Sequence, residues 1–394
     1  MGQWLSAAET TERLGIKRST LYSYVSRGLI RSHPGPGRSR RFLSGDVERL
    51  AVRGRQGRQR QNLEMIMESA VSTVWDGQLF YRGVDVRDLA ETSTFEEVAE
   101  LVWGGSCGST WQTPAAWQGW LSEVGLLAPD SLPLERLMLT TAASAASDHT
   151  RARQDTGAVL RSARTLISAL VDVLGEAPAA SSDGIARRLT NQLVKSRRSK
   201  NVPDVMDAAL VLVADHGLAA PTLTVRVSAS VGSDFYAAIL AGLCAMRGTK
   251  PGAAGLSVER LLDEAGRVGA EQALVSRHRS GELLPGSGHD LYQSDPRASE
   301  IIRRLRDSFG GTKRLDDVEA VIELYKSWDL PDPNMDFALG ALTHVANLHS
   351  GASEAIFAIG RVAGWTAHYL EQRESPKIHR LREVYVGPMP DRRS

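Results

Sequence analysis

Apolar residues spaced three and four positions apart recur along most of this sequence, and this pattern constrains the fold more than any other feature. The spacing gives a helix one apolar face that can pack against a core. It is clearest in the runs 160–177, 182–197, 202–217, 233–248, 255–277 and 314–328. Strand signals are short, as in AVSTVWDGQLFYRG at 70–83, where Asp-Gly is typical of a hairpin turn. The sequence therefore predicts a mainly α-helical fold.

Length and composition exclude several classes of protein. With 394 residues, the chain is long enough for two or three domains. Its two cysteines argue against a disulfide scaffold and fit a reducing cytoplasm. No apolar stretch reaches the roughly 20 residues that span a membrane, and the start of the chain lacks the apolar core of a signal peptide. We therefore expect a cytoplasmic protein without a membrane partner.

The charge of the chain is unevenly distributed. Residues 1–60 hold 13 Lys and Arg but only 4 Asp and Glu, which gives +9. Because the whole chain carries +1, the remaining residues carry −8. A basic end on an acidic body predicts an anionic partner for that end, and nucleic acid is the first candidate.

Residues 4–53 contain two short helical patterns on either side of Gly15, which is helix–turn–helix spacing. The residues predicted to pack these helices are Leu5, Ala8, Leu14, Ile16, Leu21 and Val25. The second pattern ends in GLI and is followed by RRFLSGDVERL at 40–50, with a helix expected to start near Ser44. On these motifs the unit resembles a MerR-type winged helix–turn–helix. The residues predicted to contact DNA are Arg18, Ser19, Thr20, Tyr22, Arg27, Arg40 and Arg41. A basic appendage used only for packing remains the alternative.

The motifs of dinucleotide-binding and P-loop proteins are absent, and no His, Cys and Asp cluster has metal-ligand spacing. Six other segments contain glycine near predicted helices, and five of them also contain histidine or arginine. They are ADHGLAAPTLTVRV at 214–227, RGTKPGAAG at 247–255, GSGHDLYQSDPRA at 286–298, PNMDFALG at 333–340, GRVAGWTAHYLE at 360–371 and IHRLREVYVG at 378–387. In this order they resemble the citrate synthase family over roughly residues 64–388, and the opening STVWDGQLFYRGVDVRDLAETSTFEEVAELVWGG extends the similarity.

This resemblance implies a helical homodimer whose subunits each have a large and a small domain. The predicted division is a helix–turn–helix domain at 1–53, a basic linker at 54–62, a large domain at 63–252 and 348–394, and a small domain at 253–347. It also implies that a keto dicarboxylate such as oxaloacetate binds first and an acyl-CoA second. The acyl-CoA is a co-substrate, and no cofactor or metal is expected.

The resemblance assigns four residues to substrate binding. His216 would contact oxaloacetate, and Arg297 and Arg361 would bind its carboxylates. Arg382 would reach across the dimer to the partner's site. Three arginines suit a doubly anionic ligand, since a guanidinium can grip a carboxylate through two hydrogen bonds.

Two further residues are assigned to catalysis by the resemblance. His289 would polarise the keto carbonyl, where a donor stabilises the developing alkoxide. Asp336 would remove the α-proton of the acyl group, which requires that the resulting enolate is also stabilised. Without the resemblance, His289 reads as a turn histidine and Asp336 as a helix N-cap.

The sequence departs from the family's motifs at several positions, and two of these replace polar side chains of the site. Ala219 stands where the family has asparagine. Pro251 stands where a family histidine donates to the thioester oxygen, and proline has neither a side-chain donor nor a backbone N–H. Losing one such donor typically costs about 10²–10³ in rate. Lys250 or Thr249 could act as the substitute donor.

Three hypotheses follow from the sequence. The first is a citrate synthase-like acyltransferase with an altered enol-stabilising site. The second is a weakly active or inactive dicarboxylate- or citrate-sensing regulator that binds DNA through its helix–turn–helix. The third is an interaction protein whose helix–turn–helix only packs against the dimer. Asp336 favours the first, whereas Pro251 and the basic head favour the second.

Overall fold

The structure is a computed structural model that describes residues 4–35, 39–47, 67–105, 111–127, 131–175, 183–195, 201–248, 254–282 and 284–375. The chain forms two compact units, Met1–Glu68 and Ser69–Ser394. The finer division into linker, large domain and small domain stays a prediction. Several predicted features lie outside the described residues: the linker 54–62, Thr249, Lys250, Pro251, Arg382 and the side chain of Ser19.

The first unit is a helix–turn–helix with a small antiparallel sheet. Its elements are β1 (Trp4–Leu5), α1 (Ala7–Leu14), α2 (Arg18–Ser26), β2 (Ser32–Pro34) and β3 (Arg40–Leu43), with strand order β1-β3-β2. Ser6 and Glu9 form a capping box that starts α1, and Gly15 ends it with a φ of 61°. Residues 44–47 are helical, where the sequence predicted a helix to start.

The core of this unit confirms most of the predicted packing. Its buried residues are Leu5, Ala7, Leu21, Ile30, Phe42 and Val47, with Leu14, Ile16, Tyr24 and Val25 packed against them. Ala8 was predicted in this core and is exposed, whereas Ala7 is buried. The capping box starts α1 at Ala7, and this sets which face of the short helix points inward.

The second unit is mainly helical, as the sequence predicted. It opens with an antiparallel sheet of β4 (Ser72–Trp75), β5 (Gln78–Tyr81) and β6 (Val84–Asp85). The predicted hairpin is confirmed, because Trp75 pairs with Gln78 and both turn residues, Asp76 and Gly77, have positive φ. The helices are α3 (Val86–Thr92), α4 (Phe95–Trp103), a 3-10 turn (Ala115–Trp117), α5 (Gln118–Leu127), α6 (Pro133–Ser147), α7 (Thr156–Asp172), α8 (Ile185–Leu193), α9 (Val202–Val213), α10 (Ala220–Ser230), α11 (Phe235–Met246), α12 (Ala254–Val268), α13 (Ala270–Arg279), α14 (Pro296–Phe309), α15 (Lys313–Ser327), α16 (Met335–Val345) and α17 (Ala352–Glu374).

Helix α17 is the centre of this unit. It is 23 residues long and buried along most of its length, and it packs against α9, α10, α16 and several other helices. At Gly364 a side-chain carbon would lie 2.4 Å from the carbonyl oxygen of Ala214, so only glycine allows this close approach. The contact brings α17 against the end of α9, where the loop to α10 begins.

Glycine also divides one of the predicted helical runs. Gly269, with a φ of 92°, separates α12 from α13 within residues 255–277. Among the residues described, no helix has the length and hydropathy needed to cross a membrane. Nor do these residues contain a group of three or more His, Cys, Asp or Glu that could hold a metal ion.

Candidate active site

A cavity of about 500 Å³ in the second unit brings together five of the predicted site residues, within the size range of small-molecule sites. His216, His289, Arg297, Asp336 and Arg361 all line it. His289 and Arg297 come from the same segment, 286–298, and the other three come from 214–227, 333–340 and 360–371, so the site draws on four segments of the sequence. Folding therefore brings motifs that are far apart in the sequence together at one cavity.

Arg361 reaches the cavity from the middle of α17 and is 4% exposed. Its Nε donates a hydrogen bond to the carbonyl of Val213 at the end of α9 (2.7 Å), and its guanidinium lies 4.5 Å from the ring centre of Phe357. Arg361 makes no ion pair with any described residue. Both Nη groups therefore remain able to grip a carboxylate.

Arg297 stands in the first turn of α14 and already has an anionic partner. Its Nε and Nη2 donate to the carboxylate of Asp295 at 3.0 and 2.8 Å, and both side chains are buried. The Asp295 carboxylate also caps α14, because it accepts from the backbone N–H of Arg297. This pairing fixes the guanidinium beside the ring of Tyr292, at 5.6 Å, and leaves Nη1 for a ligand.

His216 lies in the loop between α9 and α10, which is held by the buried carboxylate of Asp215. Asp215 accepts from the backbone N–H of Gly217 (3.0 Å) and from the hydroxyl of Ser72. A hydrogen bond of 2.7 Å joins His216 Nε2 to Tyr292 Oη. Burial and the charges of Arg297 and Arg361 keep the pKa of His216 far below its usual value, so the ring is neutral at pH 7.

His289 lies 5.0 Å from His216, measured between ring centres, in a loop that requires glycine. Gly286 has a φ of 78°, and a side-chain carbon there would lie 2.7 Å from Val258. The backbone N–H of Leu291 donates to His289 Nδ1 (3.0 Å), so the proton of the neutral ring lies on Nε2. Burial, with the charge of Arg297, lowers the pKa of His289. The ring therefore offers an N–H donor rather than a cation.

Asp336 lies in the first turn of α16 and is not the cap of that helix. Asn334 is the N-cap, since its Oδ1 accepts from the backbone N–H groups of Asp336 (3.0 Å) and Phe337 (3.2 Å). Asn334 Nδ2 also donates to the carbonyl of Gly288 (2.9 Å), which ties the loop of His289 to α16. Burial raises the pKa of Asp336 to about 6. This carboxylate is ionised at neutral pH but is a stronger base than an exposed aspartate.

Sequence reasoning missed several residues of the site. Asn334 lies within the motif PNMDFALG without a predicted role, and the pairing of Asp295 with Arg297 is not evident from the sequence. Tyr292 is buried, and its hydroxyl shares a hydrogen bond with His216 Nε2 that no motif indicates. Glu354 also lines the cavity and was not predicted. Ala219, which stands where the family's motif has asparagine, lines the cavity. It is also the N-cap residue of α10, and no side chain caps the helix there.

The predicted DNA contacts are mostly on the surface of the first unit. Arg18, Arg27 and Arg40 are exposed, and Tyr22 is 44% exposed. Thr20 and Arg41 are half-buried. Arg18 and Tyr22 lie on α2, so the second helix of the helix–turn–helix presents a basic and an aromatic side chain to solvent.

Both units of the chain match known protein families. Residues 63–382 match the family model described as citrate synthase, C-terminal domain, and residues 4–54 match one described as helix-turn-helix domain. Over 355 residues the chain is 30% identical to the 2-methylcitrate synthase of Shewanella oneidensis, covering 82% of this chain and 93% of that protein. It is 28% identical to citrate synthase 2 of Bacillus subtilis over 348 residues, with 81% and 93% covered. The crystal structure of citrate synthase from Thermotoga maritima superposes with a TM-score of 0.70 at 25% identity, over 84% of this chain and 97% of that one.

Proposed function

This chain belongs to the citrate synthase family and carries a helix–turn–helix domain, and from that premise we propose that it joins an acyl-CoA to oxaloacetate or a related 2-oxo acid. The observation that carries the proposal is the position of Asp336, a carboxylate in the same cavity as two arginines and a neutral histidine donor. Its relatives named citrate synthase and 2-methylcitrate synthase support an acyltransferase that forms a carbon–carbon bond.

The cavity suits a doubly charged 2-oxo acid. Arg361 and Arg297 would each bind one carboxylate, and the absence of an ion pair on Arg361 within the described chain leaves its charge available. His289 would donate from Nε2 to the keto oxygen, and His216 would contact the same ligand. A second molecule, the acyl-CoA, would then bring its thioester carbon next to Asp336.

The reaction can be written on these residues with atoms and charges balanced. Asp336 takes a proton from the carbon next to the thioester carbonyl, and the C–H electron pair forms the enolate. The enolate carbon attacks the keto carbon, the new C–C bond forms, and the π electron pair of the keto group moves onto its oxygen as an alkoxide that His289 stabilises. The alkoxide takes up a proton and Asp336 returns the one that it accepted, so the charge of the site is restored. Water then hydrolyses the thioester: its oxygen bonds the acyl carbon, the C–S bond breaks, and the sulfur leaves as the thiol of free CoA.

Release of CoA tests the proposal directly. The purified chain is incubated with acetyl-CoA or propionyl-CoA, with and without oxaloacetate, and free thiol is measured. We expect release that depends on oxaloacetate, and the faster acyl group identifies the preferred donor. No release, together with a rise in melting temperature on adding oxaloacetate, would contradict the acyltransferase and favour a sensor of dicarboxylates.

The remaining features of the family are proposals for this chain. They are a homodimer, the division into large and small domains, and the reach of Arg382 into the partner's site. A cytoplasmic location is also proposed, because a chain with two cysteines fits a reducing compartment. A mixture of wild-type chains and Arg382→Ala chains, compared with each alone, would test whether sites are shared between subunits.

A second candidate function is DNA binding by the first unit. The observation that favours it is the set of exposed side chains on and near α2, which combines arginines with Tyr22. In a two-fold dimer, two such heads would read paired half-sites. A chain with this function could act as a regulator that responds to a dicarboxylate, whether or not it also turns over acyl-CoA.

The affinity of the chain for DNA is expected to fall steeply as the salt concentration rises. If Arg18, Arg27, Arg40 and Arg41 each neutralise one phosphate, the slope of log K against log salt is about −4 for duplex DNA. Fluorescence anisotropy between 50 and 200 mM salt measures this slope. Arg27→Gln should make it shallower by about one, and Arg153→Gln, an exposed arginine of the second unit, serves as the control. Affinity that does not change with salt would contradict a role for the basic head.

A further inference from the structure

A second carboxyl group, that of Glu354, lines the cavity and has no part in the function described so far. Glu354 stands in the first turn of α17 and is 7% exposed. It makes no hydrogen bond and no ion pair with any residue that the structure describes. Burying an ionised carboxylate without a partner is costly, so this environment favours the neutral acid.

The neighbours of Glu354 reinforce this preference. The carboxylate of Glu259 accepts from the backbone N–H groups of Gly351 (2.7 Å) and Ser353 (3.0 Å) and from the Ser353 hydroxyl (2.5 Å). A negative charge therefore occupies the start of α17 beside Glu354. Burial, with the charges of Glu259 and Asp336, raises the pKa of Glu354 to about 7. Because Asp336 has the lower pKa, the cavity holds one carboxylate and one carboxylic acid just below neutral pH.

Glu354 lies on the side of the cavity where α11 ends and α12 begins. A side-chain carbon at Gly255 would lie 2.7 Å from the hydroxyl oxygen of Ser353, so the starts of α12 and α17 are in contact. Met246, the last residue of α11, and Gly255 both line the cavity. The charge of Arg247, next in the chain after Met246, also acts on Glu354. The segment between these residues carries Pro251, the position without a side-chain donor.

Two other polar side chains along the wall already have hydrogen-bond partners. Asn334 Nδ2 donates to Gly288, and the Ser353 hydroxyl donates to Glu259. Arg297, Arg361 and His289 are the groups that fit the 2-oxo acid. Glu354 is a buried acidic side chain with a proton to give and no described acceptor.

We propose that Glu354 is a second catalytic residue, which donates a hydrogen bond to the thioester oxygen of the acyl substrate while Asp336 removes its α-proton. The C–H bond breaks, its proton moves to the Asp336 carboxylate, its electron pair forms the C=C bond of the enolate, and the electron pair of the carbonyl π bond moves onto the thioester oxygen. Glu354 stabilises the charge that develops there. The step needs no further reactant, and it rests on the proposed acyltransferase function.

Two variants of Glu354 test the proposal by turnover. Glu354→Ala should lower oxaloacetate-dependent CoA release by about 10²-fold, the effect of losing one such donor. The rise in melting temperature caused by oxaloacetate should be unchanged. Glu354→Gln keeps an N–H donor and should retain most of the rate. Wild-type activity should fall as the pH rises through about 7 and Glu354 loses its proton. Glu354→Gln, which cannot ionise, should not show this fall.

Full CoA release by Glu354→Ala, or the same alkaline fall in Glu354→Gln, would overturn the role of Glu354 and leave the proposed function standing. No release by the wild-type chain would contradict the proposed function and this role together. The two failures are therefore distinguishable.

A binding measurement gives an answer that does not depend on turnover. S-Carboxymethyl-CoA carries a carboxylate in place of the acyl carbonyl, and with oxaloacetate present it should take a hydrogen bond from neutral Glu354. At pH 7.5 its binding should draw protons from solution, seen by calorimetry in buffers of different ionisation enthalpy. This uptake should vanish in Glu354→Gln and persist in Asp336→Asn. The reverse result would assign the proton to Asp336 and contradict the proposal.

A histidine introduced at position 251 should replace the missing donor. Pro251→His in the Glu354→Ala background is expected to raise CoA release by about tenfold or more, as a restored enol-stabilising donor should. The same change in the wild-type chain should raise it less, because a donor is already present. An equal gain in both backgrounds, or none in either, would contradict a shared task for these two positions.

Discussion

Replacing Asp336 with asparagine is expected to lower the rate of oxaloacetate-dependent CoA release by about 10²–10⁴-fold, the range attributed to a positioned general base. Asparagine keeps the shape of the side chain but cannot accept the α-proton. The start of α16 should be unaffected, because Asn334 caps that helix and the Asp336 carboxylate does not. The loss should therefore come from chemistry and not from a distorted helix.

The variant is measured by free thiol release, with oxaloacetate binding followed in parallel by melting temperature. Oxaloacetate should still stabilise Asp336→Asn. Asp332→Asn, a change at an exposed carboxylate four residues earlier, is the control and should leave the rate within about twofold. An Asp336→Asn chain that keeps more than a tenth of the wild-type rate would contradict the role of general base.

The same variant should be more stable than the wild-type chain at alkaline pH. The pKa of Asp336 is about 6 in the folded chain and 3.8 as the ordinary value. Below pH 3.8 both the folded and the unfolded chain hold the proton, so Asp336 does not lower the free energy of unfolding there. As the pH rises from 3.8 through 6 the unfolded chain loses its proton first. The folded state then loses at most about 3 kcal/mol of stability, which stays lost above pH 6. Asparagine removes this loss. The free energy of unfolding measured with urea should therefore be higher for Asp336→Asn than for the wild-type chain at pH 8, and nearly the same at pH 4.

Much of the fold and half of the site can be read from the sequence, for physical reasons that particular residues illustrate. The apolar spacing predicts the helices because a helix must bury one face, and Asp76-Gly77 predicts the hairpin because both residues accept positive φ. Gly269, in contrast, sits inside one apolar run, and nothing in the spacing shows that its φ of 92° separates two helices.

The predicted residues that line the cavity stand in distinctive local motifs, whereas the residues defined only by tertiary contact were missed. His289 and Asp336 stand in motifs that mark them. Glu354 stands in an ordinary helical stretch, and its proposed role rests on its burial and on the nearby charge of Glu259, which lies almost a hundred residues away in the chain. The pairing of Arg297 with Asp295 is likewise visible only after α14 is folded.

The ion pair between Arg297 and Asp295 makes the two arginines of the cavity differ in the charge that they can offer to a ligand. The charge of Arg297 is largely balanced by its two hydrogen bonds to the buried carboxylate of Asp295. Arg297 would therefore mainly orient a ligand, through hydrogen bonds from Nη1. Arg361 donates only to a neutral carbonyl, that of Val213, and has no ion pair among the described residues. A dicarboxylate bound as proposed would therefore gain most of its electrostatic attraction from Arg361.

Arg361→Ala is accordingly expected to weaken oxaloacetate binding at least about 30-fold, which corresponds to the 2 kcal/mol or more typical of truncating a buried charge partner. The affinity is measured by calorimetry or from the dependence of melting temperature on oxaloacetate concentration. Arg164→Ala is the matched control, because Arg164 is also a mostly buried arginine, paired with Glu100 and outside the cavity. The control should lose stability but keep its affinity. Unchanged oxaloacetate binding in Arg361→Ala would contradict the proposed anion site, since both the acyltransferase and the dicarboxylate sensor rely on the charge of Arg361 in this cavity.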